Sequence, residues 1–76
     1  MNIEQLQTNR YLLLTDAVGY AQTASNQTKQ TYKVIKVHGI GYRVVPETWD
    51  TNRLYYHGQE GRKMYFDLID IIQPKI

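Results

Sequence analysis

The sequence predicts an α+β fold, in which an N-terminal amphipathic helix lies across a small, twisted antiparallel sheet of four or five strands built from two hairpins. Apolar residues recur at close to a helical period through residues 3–21. From Tyr32 onward valine, isoleucine and tyrosine dominate, as in strands, and glycines interrupt this part where hairpin turns are expected. The rival fold is a partly open SH3-like barrel, which is favoured if the first segment is a strand.

The first segment predicts a helix over residues 2–21. Asn2 suits the N-cap, and Gln5, three residues later, completes a capping box. A strand remains an alternative for "RYLLLTD", and Gly19 costs a helix roughly 1 kcal/mol relative to alanine. The polar stretch "QTASNQTKQ" at residues 22–30 predicts the loop before the β-rich part at residues 31–76. The residues on the helical stripe are Ile3, Leu6, Arg10, Leu13, Leu14, Ala17, Val18 and Ala21.

The first hairpin is predicted from Gly39 and Ile40, which suit a two-residue turn with glycine first. This register pairs Val37 with Tyr42 and Ile35 with Val44 on one face, and Val34 with Val45 and Lys36 with Arg43 on the other. Lys36 and Arg43 would then be like charges directly opposite one another, which is unfavourable unless an anion binds there. Pro46 has no amide hydrogen, so the second strand should end there or lie at a sheet edge.

The second hairpin is predicted from residues 59–61, a three-residue loop that places Gly61 where a left-handed conformation is needed. Its register pairs Leu54 with Phe66, Tyr56 with Met64 and Arg53 with Asp67, and its apolar face is Leu54, Tyr56, Met64, Phe66 and Leu68. The apolar pattern changes phase at Leu68 and Ile69, which predicts a β-bulge or bend. Pro74 should end the last strand.

Length and composition limit the classes of protein to consider. Seventy-six residues allow one domain, residues 1–76, with a small core that self-association would help to stabilise. The absence of cysteine excludes disulfides and thiolate metal sites. No apolar run reaches the roughly 18 residues of a membrane span, and the first residues do not resemble a signal peptide. We therefore expect an intracellular, cytoplasmic protein without membrane contact, in a host cell if a phage encodes it.

Charge is unevenly distributed along the chain. Residues 29–46 carry four cations and no acid, whereas the segments before and after each have a net charge of −1, for a total of +2. An asymmetry of this size is compatible with a basic contact surface but does not require one.

Catalytic and metal-binding chemistry finds little support in the sequence. Ser25 is the single serine and lies in a polar stretch, so nucleophiles are scarce. His38 and His57 do not have metal-ligand spacing and are expected to be turn histidines. Asp67 and Asp70, three residues apart, point to opposite faces of a strand unless a bulge intervenes. We expect no enzyme, no metal and no cofactor.

The outer face of the second hairpin is the candidate site. Aromatic and basic side chains alternate there, a composition found where proteins bind proteins or stack bases. The candidate partner-binding residues are Arg53, Tyr55, His57, Lys63, Tyr65, Lys36 and Arg43. The alternative interpretation is structural: the helix covers Tyr55 and Tyr65, and Asp67, Asp70 or Glu47 from an adjacent strand neutralises Lys36 and Arg43. Trp49 is expected to close one end of the core, with an interface anchor as its alternative.

These observations predict a small non-catalytic module that binds a protein or a protein–nucleic-acid complex and occludes it. In size and composition alone it resembles inhibitors encoded by phages and mobile elements, such as anti-CRISPR proteins. The alternative is a nucleic-acid-binding module, in which Tyr55 and Tyr65 stack on bases. The phosphate contacts would then come from Lys33, Lys36, Arg43, Arg53, Arg62 and Lys63.

Overall fold

A computed structural model of the protein describes residues 11–75 as one helix followed by four strands. They are α1 (Leu14–Thr28), β1 (Tyr32–Val37), β2 (Gly41–Pro46), β3 (Tyr55–His57) and β4 (Lys63–Ile72), with a 3₁₀ turn at Gln59–Gly61. All strand pairs are antiparallel, in the order β2-β1-β4-β3. The predicted α+β class is confirmed. The sheet is open, so the rival SH3-like barrel is wrong.

The helix lies further along the chain than the sequence predicts. It begins at Leu14 and continues to Thr28, so the prediction of a loop at residues 22–30 is wrong. Its contact with the sheet is made by fully buried Ala17 and Ala21, both on the predicted stripe, and by Ala24, which continues the same side of the helix into the polar stretch. The predicted start of the helix, including the Asn2 and Gln5 capping box, lies outside the described residues.

Local hydrogen bonds explain how the polar stretch becomes helical and then ends. Buried Ser25 donates its Oγ hydrogen to the Gln30 carbonyl at 2.6 Å, across the end of the helix. Thr28 donates to the Ala24 carbonyl at 2.8 Å. Lys29 adopts a left-handed conformation (φ 59°) and donates its backbone N–H to the Ser25 carbonyl, which terminates α1 without a glycine.

Two amide side chains of α1 fasten the segment that follows β4. Gln22 donates to the carbonyl of Gln73 and to the Asn26 side chain, both at 3.0 Å. The side-chain Oδ1 of Asn26 also accepts the backbone N–H of Lys75 at 3.0 Å. These polar residues, which had predicted a loop, therefore connect the helix to residues 73–75, after β4.

Tyr11 adds a single bridge to the outer edge of β2. Its backbone exchanges hydrogen bonds of 2.8 and 2.7 Å with Tyr42. The strand alternative for "RYLLLTD" is thus realised at one residue, before the chain turns into α1. The Tyr11 ring lies 5.5 Å from that of Tyr20. Burial raises the pKa of both phenols above the ordinary value of 10.0.

The register of the first hairpin differs from the prediction by one residue. Val37 pairs with Gly41, so the turn has three residues. Lys36 therefore lies opposite Tyr42, and Arg43 opposite Ile35, which corrects the predicted Lys36–Arg43 pair. Position 41 requires glycine because Tyr11 lies close beside it: a Cβ there would lie 2.6 Å from the Tyr11 carbonyl oxygen. β2 ends at Pro46 and is an edge strand, as predicted.

The second hairpin has the predicted register. Tyr56 pairs with Met64, and Gly61 has a left-handed φ of 73°. The predicted apolar face is wrong for Leu54, which is 77% exposed and precedes the short strand β3, and Leu68 is exposed as well. The Trp49 ring instead packs against Phe66, with centroids 4.8 Å apart.

The predicted β-bulge is confirmed in β4. Val34 pairs with Asp70, whereas the next residue, Ile35, pairs with Leu68, so Ile69 is the extra residue. The bulge reverses the alternation of faces, so Phe66 and Ile72, which an unbroken strand would place on one side of the sheet, lie on opposite sides. β4 ends at Ile72, before Pro74, as predicted.

The sheet separates two apolar clusters. The helix-side cluster consists of Ala17, Ala21, Ala24, Tyr32, Val34, Val44 and Ile72. The opposite cluster consists of Ile35, Val37, Val45 and Phe66, with Ile40, Trp49, Tyr56 and Met64 packed against it. The central strand β1 contributes to both clusters and is therefore enclosed from both sides.

Gly41→Ala should destabilise the protein by about 1–3 kcal/mol, because Gly41 has φ 135° and a methyl group would collide with Tyr11. Gly19→Ala is the matched control: a methyl group at Gly19 would meet no atom within 4 Å, and alanine favours a helix by about 0.5–1 kcal/mol. Urea unfolding of both variants measures the difference. A Gly41→Ala protein as stable as the parent would contradict the close approach of Tyr11 to this glycine.

Asp70 lies on the part of β4 that β3 does not cover. β3 pairs only with residues 63–65, so within the described chain no strand lies beside the rest of this edge, where Leu68, Ile69 and Ile71 are exposed. The Asp70 carboxylate accepts the Ile71 backbone N–H at 2.8 Å. A bulge and a charge are both means of preventing edge-to-edge pairing.

Asp70→Ala should therefore promote self-association, because it removes the charge and exposes the Ile71 amide. Sedimentation velocity over a concentration series measures this, with Glu47→Ala, another exposed acid, as the control for charge. If Asp70→Ala sediments like the Glu47→Ala control at every concentration, Asp70 does not protect this edge.

Candidate functional site

The helix covers only one end of its sheet face. It packs over Tyr32, Val34 and Ile72, whereas Lys36, on the same face of β1, is exposed. Since alternate residues share a face, the uncovered part continues onto β4 and β3. We call this surface the tyrosine face; it consists of Lys36, His38, Tyr55, His57, Lys63, Tyr65 and Asp67.

The Tyr55 ring is the centre of the tyrosine face. The Tyr65 ring lies across from it with centroids 5.7 Å apart, and His57 meets it edge-on at 5.6 Å. The Lys63 ammonium lies 4.9 Å from the ring centroid, a cation–π contact. His57 is itself oriented by a 3.3 Å contact between Nδ1 and the Gly61 carbonyl oxygen. Tyr55 is thus partly buried by its own neighbours, whereas Tyr65 is 49% exposed.

His38 and Asp67 form the other end of the tyrosine face. Their side chains meet at 2.8 Å (Nε2 to Oδ2), and this is the only ion pair within residues 11–75 when the histidine is protonated. The His38 backbone N–H also donates to the Tyr65 carbonyl at 2.9 Å. Lys36 lies opposite Asp67, but the carboxylate contacts the histidine and not the lysine. Both partners are exposed, so the pair contributes at most about 1 kcal/mol.

Arg43 and Arg53 do not belong to the tyrosine face as predicted. Arg43 pairs with Ile35 and lies on the opposite side of the sheet. Its Nε is buried and has no hydrogen-bond partner among the described residues. Arg53 is exposed in the bend before β3 and forms no ion pair with Asp67, its predicted partner. The structure therefore brings together five of the seven predicted side chains: Lys36, Tyr55, His57, Lys63 and Tyr65.

Lys33 anchors the loop that crosses the opposite side of the sheet from β2 to β3. Its ammonium donates to the Trp49 carbonyl and the Thr51 hydroxyl, each at 3.3 Å. Trp49 packs against Phe66 and Tyr56, as expected of a residue that closes the core. Lys33 shares a strand face with buried Ile35. A lysine that shares a strand face with apolar residues indicates a structural role, and the sequence analysis did not use this pattern for Lys33.

Comparison with known proteins gives no match: no family model, curated protein or solved structure is similar to this chain. Within residues 11–75, no three histidine, aspartate or glutamate side chains cluster as metal ligands would. The same residues contain no helix with the length and hydropathy needed to cross a membrane. The functional interpretation of the candidate site is therefore based on the geometry of its residues alone.

Trp49→Ala should destabilise the protein by about 2 kcal/mol, since the indole fills the space over Phe66 and part of it is buried. Trp49→Phe, which keeps an aromatic ring, should cost less. Thermal or urea unfolding distinguishes the two interpretations of Trp49. A residue that serves only as an interface anchor would leave the stability of both variants unchanged.

Proposed function

We propose that the protein is a small non-catalytic binding module whose tyrosine face docks onto a partner protein and occludes it. The exposure of Tyr65 carries the proposal: its ring is half exposed, whereas its neighbour Phe66, on the other side of the sheet, is buried. Tyrosine is enriched at the centres of protein interfaces, whereas lysine suits the polar rim that surrounds them.

The rings of the tyrosine face are held in place before any partner binds. Tyr55 is in contact with Tyr65, His57 and Lys63, and the two tyrosines stand on paired strands. Rings fixed on strands lose little conformational entropy on binding, which favours affinity. The tyrosine face consists of only seven residues, so binding would depend on few side chains.

A nucleic-acid partner is less well supported. Four of the six cations proposed to contact phosphates are not on the tyrosine face: Lys33 and Arg43 lie on the opposite side of the sheet, Arg53 in a bend and Arg62 in a turn. Asp67 adds a carboxylate beside Lys36. The ammonium of Lys63 lies over the Tyr55 ring, where a stacked base would have to bind.

Inhibition is the form of occlusion that we propose, by analogy with small inhibitors of phages and mobile elements. This analogy depends on size and composition only. A rigid module that covers a partner's working surface needs no catalytic group of its own. The proposal makes no use of a metal or cofactor.

Tyr65→Ala should weaken capture of the partner at least tenfold, about 1.4 kcal/mol, because truncating a central aromatic is costly. Ile71→Ala is the matched control, since Ile71 is equally exposed (49%) but lies on the opposite side of the sheet. The measurement is quantitative pull-down from host lysate with the parent, Tyr55→Ala, Tyr65→Ala and the control.

Two results would overturn the proposed function. One is the absence of any stoichiometric partner with the parent protein. The other is a partner whose capture is equal for the parent, both tyrosine variants and the Ile71→Ala control.

A further inference from the structure

The two ends of the tyrosine face differ in charge. At the end near the β3–β4 turn, His57 lies directly opposite Lys63, and both are exposed. At the other end, Asp67 lies beside Lys36 and contacts His38, so cation and acid are mixed. An anion is therefore better accommodated at the His57–Lys63 end.

The turn itself does not neutralise this basic end. Glu60 and Arg62 are both exposed there, and their charges balance. Neither Glu60 nor another acid among residues 11–75 forms an ion pair with Lys63 or His57. The ammonium of Lys63 rests over the Tyr55 ring, which positions the charge without satisfying it as a carboxylate would.

Spacing along β4 adds a second requirement. Lys63 and Tyr65 are two residues apart on the same face, so they are separated by about 7 Å along the strand. An extended segment of a partner that lies along β4 on this face has the same distance of about 7 Å between its residues i and i+2. An acid and an apolar side chain at that spacing would meet Lys63 and Tyr65 together.

We infer that the partner presents an acidic extended segment of the form acid-x-apolar, with its carboxylate between Lys63 and His57 and its apolar side chain on Tyr65. This inference depends on the proposed function, since it names what the tyrosine face binds. Charge complementarity assigns the acid to the His57–Lys63 end only, whichever way the segment runs.

A pair of capped peptides tests the inference on the full chain. The probes are Gly-Glu-Ser-Leu-Ser-Gly and the same peptide with lysine in place of glutamate, titrated into isotopically labelled protein and followed by amide chemical shifts. The glutamate peptide should shift residues 55–57 and 63–67. It should bind Lys63→Glu about fivefold more weakly than the parent, the change expected for one exposed charge pair. Lys63→Glu should in turn prefer the lysine peptide.

Lys75→Glu is the matched control, because it makes the same charge change in the segment fastened to α1. It should bind both peptides as the parent does. The inference is overturned if the glutamate peptide causes no shifts at about 5 mM, or if Lys63→Glu and Lys75→Glu bind it equally well. It is also overturned if oligothymidylate binds the tyrosine face more tightly than the glutamate peptide at equal salt.

The lysate experiment separates this inference from the proposed function. A partner that is lost with Tyr65→Ala but captured equally by Lys63→Glu would leave the proposed function standing and overturn the acidic segment. If no capture depends on Tyr65, the proposed function fails whatever the peptides do.

Discussion

The pairing of β1 with β4 is the interaction on which the rest of the structure depends. β1 is covered by α1 on one side through Val34 and by the opposite cluster on the other through Ile35. Because of the bulge at Ile69, β4 also places a large apolar side chain in each cluster: Phe66 in the opposite cluster and Ile72 in the helix-side cluster. Without that extra residue, Phe66 and Ile72 would lie on the same face, and the helix-side cluster would lose Ile72.

The short reach of α1 creates the candidate site. The helix packs chiefly on β1 and β2, and meets β4 only toward its end. A sheet face that continues beyond its helix must end in side chains that tolerate water. Tyrosine and lysine do so while keeping apolar contacts, which is how Tyr55 can hold both Tyr65 and Lys63. The same arrangement serves stability and leaves a contact surface.

Sequence reasoning succeeded where several constraints agreed. In the second hairpin, Gly61 and the coherent cross-strand pairs specified one register. The first hairpin contains two glycines and is therefore compatible with two different turns. The contact that requires glycine at position 41 is made by Tyr11, which is distant in sequence. The end of the helix was misplaced because its last turns are rich in polar residues, whose side chains bond to Gln73 and Lys75, beyond the reach of a local pattern.

The sequence also predicted part of the candidate site correctly. The alternation of residues along β3 and β4 placed Tyr55, His57, Lys63 and Tyr65 on one face, and that placement followed from the register alone. Arg43 was misassigned because a one-residue error in register transfers a side chain to the other face. The contact between His38 and Asp67 joins a turn to a strand 29 positions away, and no spacing rule would have found it.

The strand order has a consequence for how the chain acquires its structure. The two central strands are the first and the last in sequence, whereas the two edge strands lie between them. Either hairpin can form locally, but neither cluster is complete until Ile72 and Phe66 arrive from β4. Most of the enclosing contacts thus span a long stretch of chain, which slows the search for the native state. During synthesis the earlier segments must wait for the final strand, with their apolar side chains exposed to other molecules in the meantime.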